Sequence, residues 1–167
     1  MLTKRLPAVA GLFYPADCRV LGEEINRYLA LAPNSELIPK ALIVPHAGYI
    51  YSGAIAAAGY STLRSIAARI RRVVMLGPAH RVALRGVALP GVDSFMTPLG
   101  QVDIDADAVE RIKNLPQVIV NAQAHQSEHA LEVQIPFLQT ILTEFKLLPL
   151  VVGMASVEEV AEVLDCV

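Results

Sequence analysis

Short apolar runs alternate with helical patterns along the whole chain. Runs of strand length cover residues 41–44, 72–76, 118–120 and 147–152, and a segment with helical periodicity lies between each run and the next. This alternation is typical of βαβ units, in which helices connect parallel strands and cover both faces of the sheet. We therefore predict an α/β fold of three layers (α/β/α) with a mostly parallel central sheet.

Most of the predicted helices begin at a residue that can cap the first turn. These caps are Asp17, Asp105, Ser127 and Ser156, the last in a capping box with Glu159. The corresponding helices extend to about residues 31, 114 and 141 and to the end of the chain, and a further helix is predicted over residues 52–68. Two prolines modify the pattern, because Pro136 should kink its helix and Pro149 indicates an edge or irregular strand.

Composition narrows the class of protein. The 167 residues suffice for one domain, residues 1–167, and the 54% hydrophobic content favours strands buried on both faces. No apolar run reaches the roughly 18 residues of a membrane span, and the N-terminus lacks the apolar stretch of a signal peptide. We therefore expect a cytoplasmic protein with no membrane partner. The net charge of −2 gives no nucleic-acid footprint, and Cys18 and Cys166 form no CxxC pair.

Two of the apolar runs end in the same way. In ALIVPHAGY and VVMLGPAH a proline stops the run, and His46 or His80 follows within two residues. In open α/β sheets, ligands bind just beyond the carboxyl ends of the strands. The two histidines are separated by about the length of one βαβ unit, so we expect their imidazoles to meet at one edge of the sheet.

Two imidazoles at such an edge suit several chemistries. With one carboxylate they match a non-haem ferrous iron site. Alternatively they act as general base and electrophile, or each is a loop histidine bonded to backbone. Glu128 and His129, placed at the start of the helix capped by Ser127, would complete the site or orient an imidazole. Tyr49 and Tyr51 are predicted to line the same pocket.

A different metal chemistry is indicated by the H-x-x-E-H spacing of His125, Glu128 and His129. This is the inverted zinc-peptidase motif, which requires both histidines on one helix face and the glutamate directed at the bound water. A cap at Ser127 would leave His125 in the loop before the helix, which argues against a peptidase. Short motifs also match by chance, so this interpretation ranks behind the others.

Several segments together resemble the Memo-like family, also called AmmeMemoRadiSam system protein B. They are RLPAVAGLFYP, ALIVPHAGYIYSG, VVMLGPAH, SFMTPLGQVDID, SEHALEVQIPFLQ and LLPLVVG, in the family's order over essentially the whole chain. The resemblance implies a fold similar to the LigB-type, class III extradiol dioxygenases, which hold non-haem ferrous iron with two histidines and a carboxylate. It also implies that His46 and His80 bind iron or copper.

The resemblance also shows where this chain differs from other family members, and it implies protein partners. Family members run to well over two hundred residues and carry further site residues downstream, among them a cysteine, so a C-terminal portion is expected to be absent here. Arg81 stands where members often have a second histidine, and Ala130 where many have serine. Prokaryotic members often occur with a radical-SAM protein and an AMMECR-type protein, which are the protein partners that the resemblance implies.

Three functional hypotheses follow. The first is a metal-binding, dioxygenase-like protein with its site at His46 and His80, supported by Glu128 or His129; if catalytic, it would be a metal-dependent oxidoreductase acting on a small oxygenated substrate. The second is a non-catalytic module that binds a peptide or an anionic small molecule in the same cleft. The third is the zinc peptidase. The sequence leaves open whether the chain is an enzyme.

Overall fold

The helices and strands follow the predicted alternation closely. The computed structural model describes residues 3–33 and 35–167. The α-helices are α1 (Cys18–Leu31), α2 (Tyr49–Ser61), α3 (Ala106–Ile112), α4 (Ala122–Gln126), α5 (Ile135–Ile141) and α6 (Val157–Asp165). The strands are β1 (Lys4–Arg5), β2 (Arg72–Pro78), β3 (Val87–Leu89), β4 (Ser94–Thr97), β5 (Gly100–Asp103), β6 (Val118–Val120) and β7 (Lys146–Val152). Short 3-10 helices cover Arg64–Arg69 and Glu132–Gln134.

The strands form two sheets. The larger has the order β2-β7-β3-β6, and the smaller has the order β1-β4-β5. In the larger sheet β2 runs parallel to β7 and β3 parallel to β6, but β3 is antiparallel to β7. The α/β class is confirmed, whereas the expectation of a mostly parallel sheet is corrected to a mixed one. The chain between β2 and β3 is short and contains no helix, so β3 lacks the crossover that a parallel neighbour needs.

Helices cover both faces of the larger sheet, as the predicted three layers require. In β7, Leu147 and Val151 belong to the core cluster that also contains residues of α1, α2 and α5. Leu148 and Leu150 point to the other face and pack with residues of α3 and α6. The side chains alternate because successive residues of a strand face opposite sides of the sheet.

Three predicted caps are confirmed and one is wrong. The carboxylates of Asp17 and Asp105 accept amide hydrogen bonds in the first turns of α1 and α3, and Ser156 forms the predicted capping box with Glu159. Ser127, in contrast, lies at the C-terminal end of α4, because Asn121 caps that helix instead through Ala124 N–H.

Two further helix predictions need correction. The helix expected over residues 52–68 begins earlier, at Tyr49, and gives way to a 3-10 helix after Ser61. Pro136 does not kink a long helix, because α5 begins at Ile135 and the proline occupies the first turn, where no amide donor is needed.

Two strand predictions also differ from the structure. Residues 41–44 are extended but pair with no strand among the described residues; Leu42 and Val44 pack on the core while Ile43 is fully exposed.

Pro149 lies in the central strand β7 and not at an edge. Lys146 N donates to Arg71 O, so the alternate, even-numbered residues of β7 bond to β2 and Pro149 faces β3. The pairing with β3 covers only Val151 and Val152, so the missing amide of Pro149 costs no ladder hydrogen bond.

None of the helices that the structure describes has both the length and the hydropathy needed to span a bilayer, the longest being α1 with 14 residues.

Candidate metal centre

Three histidine side chains converge at one edge of the larger sheet. His46 follows the extended segment 41–44, His80 follows β2, and His129 lies in the turn between α4 and the second 3-10 helix. One ligand atom of each imidazole lies within 4.8 Å of the ligand atoms of the other two. The ring centroids are 5.3 Å apart for His46 and His80, 5.9 Å for His46 and His129, and 4.6 Å for His80 and His129.

Close packing of the chain brings the three loops together. A Cβ atom added to Gly77 would lie 2.8 Å from Leu131 Cδ2 and 3.2 Å from Ala130 Cβ, so glycine lets the end of β2 pack closely against the turn after His129. The loop at His46 is held from two sides, because Pro45 O accepts a hydrogen bond from Gln134 Nε2 at 3.0 Å and Tyr49 N donates to Phe13 O at 2.8 Å. The phenyl ring of Phe13 also packs on the His129 imidazole, with centroids 4.8 Å apart.

Glu128 organises the centre without belonging to the cluster of three histidines. Its carboxylate accepts hydrogen bonds from His80 N at 2.7 Å, His129 N at 2.8 Å and Ala130 N at 2.9 Å. Its Oε1 atom also lies 2.9 Å from His80 Nδ1. The residue is in a turn and not at the predicted helix N-terminus, so backbone amides of its own turn and of the His80 loop replace the helix dipole as the stabilising groups.

The charge on Glu128 decides which ring nitrogen of His80 donates to it. Burial alone would raise the pKa of this 2%-exposed carboxyl, but the hydrogen bonds from Ala130 and His80 outweigh burial and hold the pKa below its ordinary value. An ionised carboxylate is only an acceptor, so His80 Nδ1 donates the hydrogen bond. In the neutral form of this imidazole, Nε2 is then the nitrogen with the lone pair.

His129 has a buried ring nitrogen without a hydrogen-bond partner in the part of the chain that the structure describes. Its buried Nδ1 atom has no hydrogen-bond partner among the described residues, although Glu128 Oε1 is 3.3 Å away in unsuitable geometry. Burial lowers the pKa of His129, and the adjacent His80 and His46 lower it further, against the opposing effect of Glu128. A neutral imidazole with an unpaired nitrogen beside two other imidazoles is the donor set that transition metals prefer.

The two tyrosines predicted to line the pocket lie on α2, one buried and one exposed. Tyr49 is buried in the core, where its hydroxyl donates to Val133 O at 2.7 Å and its ring packs against Tyr14 and Phe137. The side chain of Tyr51 is 84% exposed on α2. Because α2 begins at Tyr49 and not at Ser52, both tyrosines belong to a helix and take the directions that its first turn imposes.

The geometry required of a zinc peptidase is absent at the H-x-x-E-H motif. His125 lies within α4 and not in the preceding loop as expected, and α4 ends at Gln126, before Glu128 and His129. His125 is buried, and its Nε2 atom lies 2.8 Å from Ala88 O. The two histidines therefore do not share one helix face, and His125 is bound to the backbone of β3.

A buried ion pair that was not predicted from the sequence joins Arg5 and Glu132 next to the centre. The carboxylate of Glu132, which is 0% exposed, lies 2.6 Å from Arg5 Nη1 and 2.6 Å from the Tyr14 hydroxyl. Burial raises the pKa of Tyr14, and the hydrogen bond to the Glu132 carboxylate raises it further. The only signal in the sequence is that both partners lie in segments already singled out, RLPAVAGLFYP and SEHALEVQIPFLQ.

Comparison with known proteins identifies the family. A family model described as Memo-like protein matches residues 5–167, a range that contains all three histidines and the buried ion pair. The chain belongs to the Memo-like family.

Relatives of the Memo-like chain are known from bacteria and archaea. The MEMO1 family protein of Aquifex aeolicus is 41% identical over 155 residues, which cover 92% of the chain and 57% of the relative. That of Archaeoglobus fulgidus is 38% identical over 166 residues, covering 96% and 59%. That of Nitrosopumilus maritimus is 37% identical over 167 residues, covering 95% and 60%. The Memo-like chain thus spans less than two thirds of the length of these relatives.

Proposed function

We propose that the Memo-like chain binds iron or copper through His46, His80 and His129. The observation that carries this proposal is the approach of three imidazole nitrogens to within 4.8 Å, one ring having a buried Nδ1 atom without a partner. The sequence predicted His46 and His80 as ligands, with Glu128 or His129 in support of the site. The contacts favour His129 as the ligand and Glu128 as the group that orients His80.

The residues of the centre would hold a metal and leave one side of it accessible to solvent. Neutral imidazoles suit iron and copper, and the hydrogen bond from His80 Nδ1 to Glu128 fixes the tautomer that presents Nε2. The buried carboxylate also supplies negative charge beside the three rings. The side chain of His80 is 37% exposed, so a small molecule can reach this edge of the centre from solvent. When bound, such a metal supplies Lewis-acid and redox chemistry.

Metal titration of the purified protein tests the proposal. Metal-free protein made without a histidine tag is titrated with Co²⁺, a spectroscopic probe of imidazole sites, and its metal content after Fe²⁺ or Cu²⁺ loading is measured. His46→Ala, His80→Ala and His129→Ala should each lower the affinity for Co²⁺ by at least tenfold. His125→Gln is the matched control, because it changes a buried histidine outside the cluster and should leave the affinity unchanged. Equal Co²⁺ binding by the wild type and all three alanine variants would refute the site.

Oxygen consumption separates a dioxygenase-like enzyme from a binding module. We propose the oxidoreductase on the strength of the accessible edge at His80, with a small oxygenated molecule as substrate. Fe²⁺-loaded protein is incubated with catechol as a probe in an oxygen electrode, with His129→Ala as the control. Oxygen uptake that requires His129 supports an enzyme. Metal binding without uptake would favour the non-catalytic module, and metal-independent binding of a peptide or anion would favour it further.

A further inference from the structure

Arg5 contacts the turn that carries Glu128 and His129 through two backbone carbonyls. Its guanidinium is buried, and Nε donates to His125 O at 2.8 Å while Nη2 donates to Glu128 O at 2.7 Å. These carbonyls belong to the last turn of α4 and to the irregular turn that follows. A planar guanidinium can hold both carbonyls in fixed positions, which a lysine ammonium cannot do.

Glu132 holds Arg5 in place. Its carboxylate lies 2.6 Å from Arg5 Nη1 and also accepts hydrogen bonds from Ala8 N at 2.8 Å, Val9 N at 3.0 Å and the Tyr14 hydroxyl at 2.6 Å. The negative charge is fully buried and is compensated by one cation and three neutral donors. Breaking such a network leaves an unpaired buried charge, so the position of the Arg5 guanidinium is strongly determined.

Glu128 is therefore held at both ends. Its backbone carbonyl is bound by Arg5, and its carboxylate is bound by two groups of His80, the amide and Nδ1. Within the turn between α4 and the 3-10 helix, Glu128 N donates to His125 O, and the Glu128 carboxylate accepts from His129 N and Ala130 N. The bonds from Arg5 are the contacts that tie this turn to β1 and so to the smaller sheet.

We propose that Arg5 is a positioning residue of the metal centre: by binding the carbonyls of His125 and Glu128 it sets where the Glu128 carboxylate meets His80. The inference rests on the proposed function in so far as the centre binds metal. It goes further in assigning control of the His80 tautomer to a residue that is remote in sequence and does not touch the histidine cluster. Loss of a partner that orients a ligand lowers metal affinity by roughly 10–100-fold.

Two variants separate positioning from general stability. Arg5→Lys keeps the positive charge beside Glu132 but loses the paired bonds to the two carbonyls. Tyr14→Phe is the matched control, because it removes one hydrogen bond to the same Glu132 carboxylate and none to the turn. Both variants should lower the melting temperature, whereas only Arg5→Lys should weaken Co²⁺ binding, by about 10–100-fold. If Arg5→Lys does not fold, Arg5→Gln combined with Glu132→Gln removes both charges together and is measured in its place.

A second readout does not depend on metal. Long-range ¹H–¹⁵N NMR spectra of the metal-free protein report the tautomer of His80, which should be the Nδ1–H form in the wild type and in Tyr14→Phe and a mixture in Arg5→Lys. An unchanged tautomer and unchanged Co²⁺ affinity in Arg5→Lys would overturn the proposal, as would an equal loss in both variants at equal melting temperature. If the wild type binds no Co²⁺, the proposed function fails, and the His80 tautomer still decides whether Arg5 positions Glu128.

Discussion

The side chain of Glu128 is bonded to two of the three clustered histidine residues, His80 and His129. One oxygen accepts from His80 N, and the other from His129 N and Ala130 N while also lying against His80 Nδ1. The carboxylate is thus shared between the loop after β2 and its own turn. The Oε1 atom is already occupied by three donors, which commits it to orienting His80 and its own turn.

Glu128→Gln should weaken metal binding while leaving the fold intact. The amide keeps the size of the carboxyl but removes the negative charge and can accept through one oxygen only, so His80 loses the partner that fixes its tautomer. We expect the dissociation constant for Co²⁺ to rise by about 10–100-fold in a chelator-competition titration. His125→Gln serves as the control, and affinity equal to that of the wild type in Glu128→Gln would contradict the orienting role.

His125 should make stability depend on pH in mildly acidic solution. Burial lowers its pKa to about 4 from an ordinary value of 6.5, so below pH 6.5 the unfolded chain binds a proton that the folded chain does not. The contribution to stability is therefore complete above pH 6.5 and is lost as the pH falls towards 4. A gap of about 2.5 pKa units corresponds to at most about 3 kcal/mol.

Urea unfolding between pH 7.5 and 4.5 measures this effect. The free energy of unfolding of the wild type should fall over that range, and His125→Gln, which keeps a donor towards Ala88 O, should show a shallower fall. A part of the slope will remain, because the pKa of His129 is also lowered by burial and acts in the same direction. Identical slopes in the two proteins would show that His125 is not buried as a neutral group.

Among the helices and strands, the features that depend on neighbouring residues were the ones predicted correctly from the sequence. Strand β6 has the predicted bounds Val118–Val120, and the capping box at Ser156 is present, because both depend on neighbouring residues. The error at Ser127 arose from competition between two caps six residues apart. Asn121 caps α4, so that helix begins before Ser127. Glu128 was expected in the first turn of the helix after Ser127, but its carboxylate instead binds the amide and ring of His80, which is 48 residues away.

The stability cost of a proline in β2 should depend on whether the lost amide faces β7 or the outer edge of the sheet. Ala79 N donates to Val152 O, so the odd-numbered residues of β2 bond to β7 and the amides of Val74 and Leu76 point to the outer edge. Val74→Pro should cost less than about 1 kcal/mol, whereas Val73→Pro should cost at least about 2 kcal/mol because a ladder bond is lost and a carbonyl of β7 is left unpaired. Chemical denaturation of the two variants provides the comparison, and equal losses would show that the register is different.

At the scale of the molecule, β7 connects the two cores. Leu147 packs with α1, α2 and α5, Leu150 packs with α3 and α6, and both side chains are fully buried. Leu147→Ala and Leu150→Ala should each lower the free energy of unfolding by about 2–5 kcal/mol. Unfolding followed by far-UV circular dichroism and by tyrosine fluorescence should remain a single, coincident transition in both. Leu12→Ala, at an exposed position, is the control for loss of a leucine side chain, and separate transitions would mean two independent cores.

The candidate centre was only partly predictable because its residues are gathered from the whole chain. His46 and His80 follow predicted strand ends and could be paired by general rules for open sheets. His129 was expected beside them as one of two alternatives. Nothing in the sequence indicated that Arg5 and Glu132 form a pair, since 127 positions separate them and only tertiary packing makes one the partner of the other.

The outer side of β2 has a consequence for how the chain behaves in concentrated solution. Its unpaired amides and carbonyls are flanked by the partly exposed side chains of Val74 and Leu76, with no neighbouring strand among the described residues. An unpaired strand edge of this kind can form backbone hydrogen bonds with a strand of another molecule. Self-association of the chain should therefore increase with protein concentration. Val74→Lys should reduce this self-association without changing the histidine cluster.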